Sequence, residues 1–241
     1  RAYLDSLPVR APLRAKLETL VKQASRRYLG LDAEGGRLFA VYSDPKFQQP
    51  MIVVMGQDAD PTKARVVLDP NKLDPTGGTA FDWFVPSPDG ERIAVALSKG
   101  GSEDGSLHVF DVATGRQVGE VIPRVQYPTA GGSAAWTPDG KGFWYTRYPG
   151  PDRPADEQHF HQTVWFHRLG EDPKTDVQVF GDGLPKIAAI KLQYSAEAGA
   201  LVATVLNGDG GEVAHYVRGE DGRFVQVTRF EDGVTYARFG P

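Results

Sequence analysis

The sequence predicts an all-β fold, a run of about four β-propeller blades preceded by one short helix. After about Arg27 the chain consists of short alternating or apolar runs separated by Gly, Pro and Asp turns, which is typical of strands joined as a meander. One turn sequence repeats, because Ser87-Pro-Asp-Gly90 and Thr137-Pro-Asp-Gly140 lie about 50 residues apart. Each repeat holds about four strand-like runs, and a period of 40 to 50 residues with four strands indicates a propeller blade.

The first 27 residues carry the only helical spacing. Leu13, Leu17, Leu20 and Val21 recur at intervals of three and four residues after Pro12, with charged residues between them. This spacing predicts one amphipathic helix. We therefore treat residues 1–27 as a helical lead-in to the blades.

Four blades are predicted from the repeats, with looser copies of the turn at Asp32-Ala-Glu-Gly-Gly36 and Ser195-Ala-Glu-Ala-Gly199. Beside Ala135-Trp-Thr-Pro138, the ending Arg238-Phe-Gly-Pro241 resembles the start of a further copy, so we expect the chain to be part of a longer protein. The predicted blades, taken together as a partial propeller over residues 28–241, are 28–79, 80–127, 128–185 and 186–235, with the start of a fifth at 236–241.

Composition narrows the function classes. The 241 residues are 40% hydrophobic, enough for a full core, and the formal charge of −4 without a basic run argues against a nucleic-acid partner. The absence of cysteine excludes disulfides, thiolate metal sites and a cysteine nucleophile, and leaves the compartment open. A cytoplasmic protein is expected, with a periplasmic or secreted one still open. Apolar runs such as Met51–Met55 are far shorter than the roughly 20 residues of a membrane helix, so no membrane partner is predicted.

No catalytic set is recognisable. The segments Gly131-Gly-Ser133-Ala-Ala135 and Gly100-Gly-Ser102-Glu-Asp104 lack the final glycine and the following helix of a nucleophile elbow, so both serines are interpreted as turn residues. Gly181-Asp-Gly183-Leu-Pro-Lys186 lacks the third glycine and the helix of a phosphate loop. It is interpreted as a connection between blades.

Histidines offer the nearest approach to a metal site. His161 and His167 are predicted on one face of the strand HQTVWFHR, with His159, Asp156 and Glu157 nearby. A metal pair and a row of exposed polar residues both fit this pattern. No metal and no cofactor are predicted.

Two further polar features are given structural interpretations. The loop from Asn207 to Glu212 lacks the ligand spacing of a calcium loop and is predicted as a hairpin turn. His108 and His215 lie inside predicted strands and are interpreted as structural histidines with hydrogen-bond partners.

An ordered set of segments resembles the N-terminal half of the propeller domain of prolyl oligopeptidases. The set comprises AYLDSLPVRAPLRAKLETL, VVLDPN, AAWTPDGKGFWYTRYP, and His161-Gln162 followed by WFHRLGEDPKTD. The resemblance implies a seven-bladed propeller that caps an α/β-hydrolase domain and filters short peptides cleaved after proline. The catalytic Ser, Asp and His would then lie beyond Pro241, and residues 1–27 would lead in from the hydrolase domain.

The resemblance also implies site residues. Tyr127 matches an aromatic residue that contacts the peptide, and Ile187 begins an apolar segment that matches another wall of the same pocket. Asn207 stands where the family commonly has an arginine that reaches the peptide backbone, which leaves the peptide specificity open. Glu103 and Asp104 match a loop that faces the catalytic domain, although a solvated turn explains them as well.

Two functions follow from these observations. The first is the gating propeller of a prolyl oligopeptidase-like serine peptidase, whose partners are short proline-containing peptides and a hydrolase domain of the same chain. The second is a non-enzymatic propeller that serves as a protein-interaction scaffold. A serine elbow after further blades would distinguish the first from the second.

Overall fold

The computed structural model describes residues 2–22, 25–102, 104–126, 132–151 and 153–237. Within them lie four separate antiparallel sheets of four strands, and in each sheet the strands pair in sequence order. The sheets span Arg27–Leu68, Thr79–Ile122, Ala134–Phe180 and Ala188–Thr228. The prediction of an all-β fold with four blades is therefore confirmed. The division at residue 27 and the fifth copy, whose residues 238–241 fall outside the described residues, stay predictions.

The strands and helices have the following bounds. Blade 1 consists of β1 to β4, which are Arg27–Glu34, Arg37–Ser43, Met51–Met55 and Arg65–Leu68. Blade 2 consists of β5 to β8, which are Thr79–Pro86, Arg92–Lys99, Ser106–Asp111 and Gln117–Ile122. Blade 3 consists of β9 to β12, which are Ala134–Trp136, Gly142–Arg147, Thr163–Arg168 and Val177–Phe180. Blade 4 consists of β13 to β16, which are Ala188–Ser195, Ala200–Asn207, Val213–Arg218 and Phe224–Thr228. The helices α1, α2 and α3 are Ala2–Asp5, Arg10–Lys22 and Pro70–Leu73.

The repeated turns have the same hydrogen bonds in blades 2 and 3. The Gly90 and Gly140 N–H groups donate to Ser87 O at 2.7 Å and Thr137 O at 2.9 Å, and both glycines have positive φ, 67° and 64°. The turn aspartates accept the N–H two residues later in each copy, at 2.9 Å in blade 2 and 3.1 Å in blade 3. Only glycine adopts this φ without strain, which explains its place in both copies.

Neighbouring blades pack face to face through apolar side chains. Three buried clusters lie at the three boundaries between blades, and Trp136 belongs to the cluster between blades 2 and 3. Adjacent blades also bond directly at their first strands, because Trp136 Nε1 of β9 donates to Val85 O of β5 at 3.0 Å. Ser133 Oγ, immediately before β9, accepts from Leu192 N of β13 at 3.0 Å. The first strand of each blade therefore forms the inner wall of the propeller.

The predicted amphipathic helix is α2, and its apolar face is exposed. Leu13, Leu17, Leu20 and Val21 are each more than half exposed. Across the part of the chain that the structure describes, none of the helices is both long enough and apolar enough to span a bilayer.

Candidate functional site

The predicted site residues that the structure describes lie in or next to loops at one face of the propeller. In a four-stranded meander, the loop between the second and third strands lies at the same end as the connection to the next blade. The first-to-second-strand turns of blades 1 and 2 touch each other at the opposite end, because Arg37 Nη1 donates to Gly90 O. We call the end with the connections the connection face. Its described segments are 44–50, 69–78, 100–102, 104–105, 123–126, 132–133, 148–151, 153–162, 181–187 and 208–212.

Ile187 and Asn207 lie side by side on the connection face. Ala188, the first residue of β13, pairs with Asn207, the last residue of β14. The Ile187 side chain lies over Gly208, the residue that follows Asn207. A Cβ atom at Gly208 would lie only 3.0 Å from Ile187 Cδ1. Ile187 is 46% exposed, and the Asn207 N–H donates to Glu212 O at 3.0 Å, which closes the loop. An exposed apolar side chain thus stands beside a half-buried amide at the inner wall.

Asp104 lies on the connection face in blade 2, and a buried side chain donates a hydrogen bond to its carboxylate. Its Oδ1 accepts a hydrogen bond of 2.6 Å from Gln126 Nε2, and the Gln126 side chain is buried. The same Nε2 is 3.1 Å from His159 Nδ1, so Gln126 ties Asp104 to the long loop of blade 3. The other two predicted site residues, Glu103 and Tyr127, lie outside the described residues.

Two buried glutamines organise this face, and sequence reasoning assigned neither a role. Gln126 bonds Asp104 as described, and Gln162 Oε1 accepts the Ile190 N–H at 2.6 Å, which ties the long loop of blade 3 to β13. Gln162 is 2% exposed. Gln126 directly precedes Tyr127 and Gln162 belongs to the segment His161-Gln162, so both lie next to residues that the resemblance singled out, but only the structure shows their distant partners.

The serines considered as nucleophiles have structural or turn positions. Ser133 Oγ bonds both the N–H and the carbonyl of Leu192, at 3.0 and 3.2 Å, and so joins blades 3 and 4. Ser102 lies in an exposed turn, where its Oγ accepts the Asp104 N–H at 3.3 Å. Neither hydroxyl is bonded to an imidazole, as the activation of a serine requires, among the described residues.

The histidines do not form a row on one strand, so that part of the sequence interpretation is wrong. The strand β11 begins only at Thr163, and His161 precedes it with a left-handed φ of 59°, which breaks the alternation. His167 is buried and its Nδ1 lies 2.8 Å from Asp176 Oδ1, away from the connection face. Within the described ranges, no group of three or more His, Cys, Asp or Glu side chains could hold a metal ion.

The remaining histidines are structural. His108 Nδ1 lies 2.8 Å from Gln117 Oε1, and His215 Nδ1 lies 2.7 Å from Thr228 Oγ1. Burial lowers the pKa of both imidazoles, because desolvation disfavours the charged ring. Both rings therefore favour the neutral form and serve as hydrogen-bonding partners within their sheets.

Comparison with protein families gives one match over residues 1–237, to the model described as prolyl oligopeptidase, N-terminal beta-propeller domain. A prolyl oligopeptidase, ophP, of Omphalotus olearius is 32% identical over 201 residues, which cover 76% of this chain and 26% of that protein. A prolyl endopeptidase of Elizabethkingia miricola is 25% identical over 193 residues, covering 76% of this chain and 25% of that protein. The chain thus spans about a quarter of the length of these curated relatives.

Solved structures show the same fold. A structure from a structural and mechanistic analysis of two prolyl endopeptidases superposes with a TM-score of 0.81 at 24% identity, over 95% of this chain and 33% of that one. Prolyl oligopeptidase B from Galerina marginata, bound to a 25mer macrocyclization substrate, superposes with a TM-score of 0.72 at 18% identity, over 93% of this chain and 34% of that one. These likenesses support the propeller architecture.

Proposed function

The chain belongs to the family of prolyl oligopeptidase N-terminal β-propeller domains, and on that premise we propose that it is the substrate filter of a serine peptidase that cleaves short peptides after proline. The observation that carries the proposal is the family match over residues 1–237. A propeller that covers the active site restricts access by size and keeps bulk water from the reacting groups. The chain contributes walls and contacts, and a hydrolase domain of the same protein contributes the Ser, His and Asp.

The connection face is proposed as the surface that meets the peptide and the hydrolase domain. Ile187 offers an exposed apolar contact next to the Asn207 amide, and Asp104 offers an exposed carboxylate that Gln126 holds in place. Such a carboxylate can pair with a cation of a facing domain. Together with Tyr127 and Glu103, these residues are proposed as the substrate-binding and interdomain positions of the protein.

The peptidase proposal is tested with the full-length protein. We expect it to hydrolyse a chromogenic substrate with a Gly-Pro linkage and to lose this activity on reaction with a serine-directed inhibitor. Residues 1–241 alone, prepared in parallel, are expected to give no turnover, because the Ser, His and Asp of catalysis are assigned to the hydrolase domain. Turnover by the 241-residue chain, abolished by the inhibitor, would contradict the assignment of catalysis to another domain.

Asn207 provides a second prediction, on affinity. Replacing a neutral amide by a guanidinium should add a charge-assisted hydrogen bond to the peptide backbone, so Asn207→Arg is expected to lower KM about threefold to tenfold with kcat nearly unchanged. Asn207→Gln keeps the neutral amide and serves as the matched control. Equal KM values for the arginine and glutamine variants would remove Asn207 from the peptide site.

The scaffold alternative is not favoured, because the curated relatives reported above are named as prolyl peptidases. The cytoplasmic location stays a prediction, which fractionation of the source cells followed by immunodetection would test. The absence of nucleic-acid and membrane partners stays a prediction as well.

A further inference from the structure

A cavity of about 570 Å³ opens on the connection face of blade 3, beside the connections that precede and follow this blade. Its volume falls in the range of roughly 300 to 1,000 Å³ that is typical of ligand sites. It lies next to the proposed peptide site, because its lining includes Pro185, which is two residues before Ile187 in the chain. Its lining includes Arg124, Arg147, Arg153, His161, Trp165 and Asp182.

Among the described residues, the side chains that line this cavity include more cations than carboxylates. Arg124, Arg147 and Arg153 line it, against the single lining carboxylate Asp182 among the described residues. Arg153 is 3.3 Å from Glu157, but within the described ranges neither Arg124 nor Arg147 has a carboxylate within 4.0 Å. Arg124 and Arg147 are therefore the lining arginines without a carboxylate partner among the described residues, and they are the candidates for an added anion.

Both of these guanidinium groups are held in place. The Arg147 Cζ lies 3.6 Å from the centre of the Trp165 ring, and its Nη1 donates to the Tyr145 hydroxyl at 3.3 Å. Arg124 Nη2 donates to Gln158 O, while the buried Arg124 Nε has no partner among the described residues. Buried donors are almost always bonded, so this Nε–H beside the cavity is available to a bound water or ligand.

The backbone around the cavity is strained. Three described residues other than glycine have a left-handed φ, and two of them, Arg124 at 66° and His161 at 59°, line this cavity. Such conformations are energetically costly and cluster at active sites and ligand-binding positions. Hydrogen bonds fix both residues, since Tyr148 N donates to Arg124 O at 3.0 Å and His161 N donates to Lys186 O at 2.7 Å.

We propose that this cavity binds a carboxylate side chain, Asp or Glu, of a peptide that extends from the proposed peptide site. An arginine fork matches a carboxylate in two parallel hydrogen bonds, and Arg147 is already stacked in a fixed plane. A peptide is chosen as the source of the carboxylate because the cavity adjoins the proposed peptide site. The His161 N–H of the cavity lining donates to the carbonyl of Lys186, which directly precedes Ile187. The inference rests on the proposed function for this choice of ligand.

The test is a binding measurement on the full-length protein. The probes are pairs of peptides that end in proline and differ only by Glu or Gln at one upstream position, scanned residue by residue, with affinity measured by calorimetry. At one position or more, the Glu peptide is expected to bind at least tenfold more tightly than its Gln partner. The ratio should fall to within twofold in Arg147→Gln and in Arg124→Gln. It should stay at its original value in Arg168→Gln, which changes an exposed arginine of β11 outside the cavity.

Equal affinities for every Glu and Gln pair in the unaltered protein would overturn the proposal without any variant. So would a ratio that both arginine variants leave unchanged. Inorganic phosphate that competes with the Glu peptide but not with its Gln partner would support the site, whereas phosphate binding without any Glu preference would make it a free-anion site and overturn the peptide assignment. If the full-length protein cleaves after proline but shows no preference for Glu, only the carboxylate site in the cavity is rejected. If it prefers Glu peptides but does not cleave them, only the peptidase proposal is rejected.

Discussion

Replacing Trp136 by alanine is expected to lower the free energy of unfolding by about 3 to 5 kcal/mol, as for other large buried aromatic residues. Trp136 is 3% exposed and packs edge-on against Phe143, with ring centres 5.1 Å apart. Its Nε1 also donates to Val85 O in blade 2. The substitution therefore leaves a cavity at the boundary between blades 2 and 3 and removes the indole hydrogen bond to β5.

Urea unfolding followed by far-ultraviolet circular dichroism measures this change without depending on tryptophan fluorescence. Trp136→Phe is the matched control, because it keeps an aromatic ring in the core and removes only the indole N–H and part of the volume. We expect it to cost about 1 to 2 kcal/mol. A loss within 0.5 kcal/mol for the alanine variant would place Trp136 at a surface and contradict the blade assignment.

The repeating parts of the fold were predictable from local sequence. The turns at Ser87 and Thr137 use the same Asp and Gly chemistry in the structure as in the pattern, because a turn is determined by residues within a few positions of one another. The order of strands followed directly from those turns. The prediction that His161 and His167 lie on one face of a strand was wrong, because His161 has a left-handed φ and β11 begins only at Thr163. No local sequence signal marks this left-handed residue.

The candidate site was only partly predictable. The resemblance supplied Ile187 and Asn207, and the structure brings them together through the register of β13 and β14. The support of Asp104 by Gln126 joins residues 22 positions apart, and the cavity brings Arg124, in the connection after blade 2, to Arg147 of blade 3. Contacts of this kind depend on how blades pack, which neither composition nor spacing reports.

Replacing Asp176 by alanine is the second large expected effect, a loss of about 3 to 5 kcal/mol in the free energy of unfolding. The Asp176 side chain is 2% exposed, its Oδ2 accepts from the Tyr145 hydroxyl at 2.8 Å, and its Oδ1 lies 2.8 Å from His167 Nδ1. Burial raises the pKa of Tyr145, so the phenol stays protonated and keeps donating. Without the carboxylate, a buried phenol and a buried imidazole lose their shared acceptor.

Two further variants distinguish the loss of the Asp176 carboxylate as an acceptor from a general effect of substitution in its loop. Asp176→Asn keeps one oxygen but presents an NH2 group to the other donor, so we expect an intermediate loss of about 1 to 3 kcal/mol. Asp172→Ala, in the same loop, removes an exposed carboxylate whose Oδ1 accepts the Lys174 N–H at 3.0 Å, and should cost about 1 kcal/mol. If Asp176→Ala proves no more destabilising than Asp172→Ala, the buried bonds to Tyr145 and His167 contribute nothing to the stability of blade 3. A graded series instead assigns that stability to one carboxylate that serves two strands.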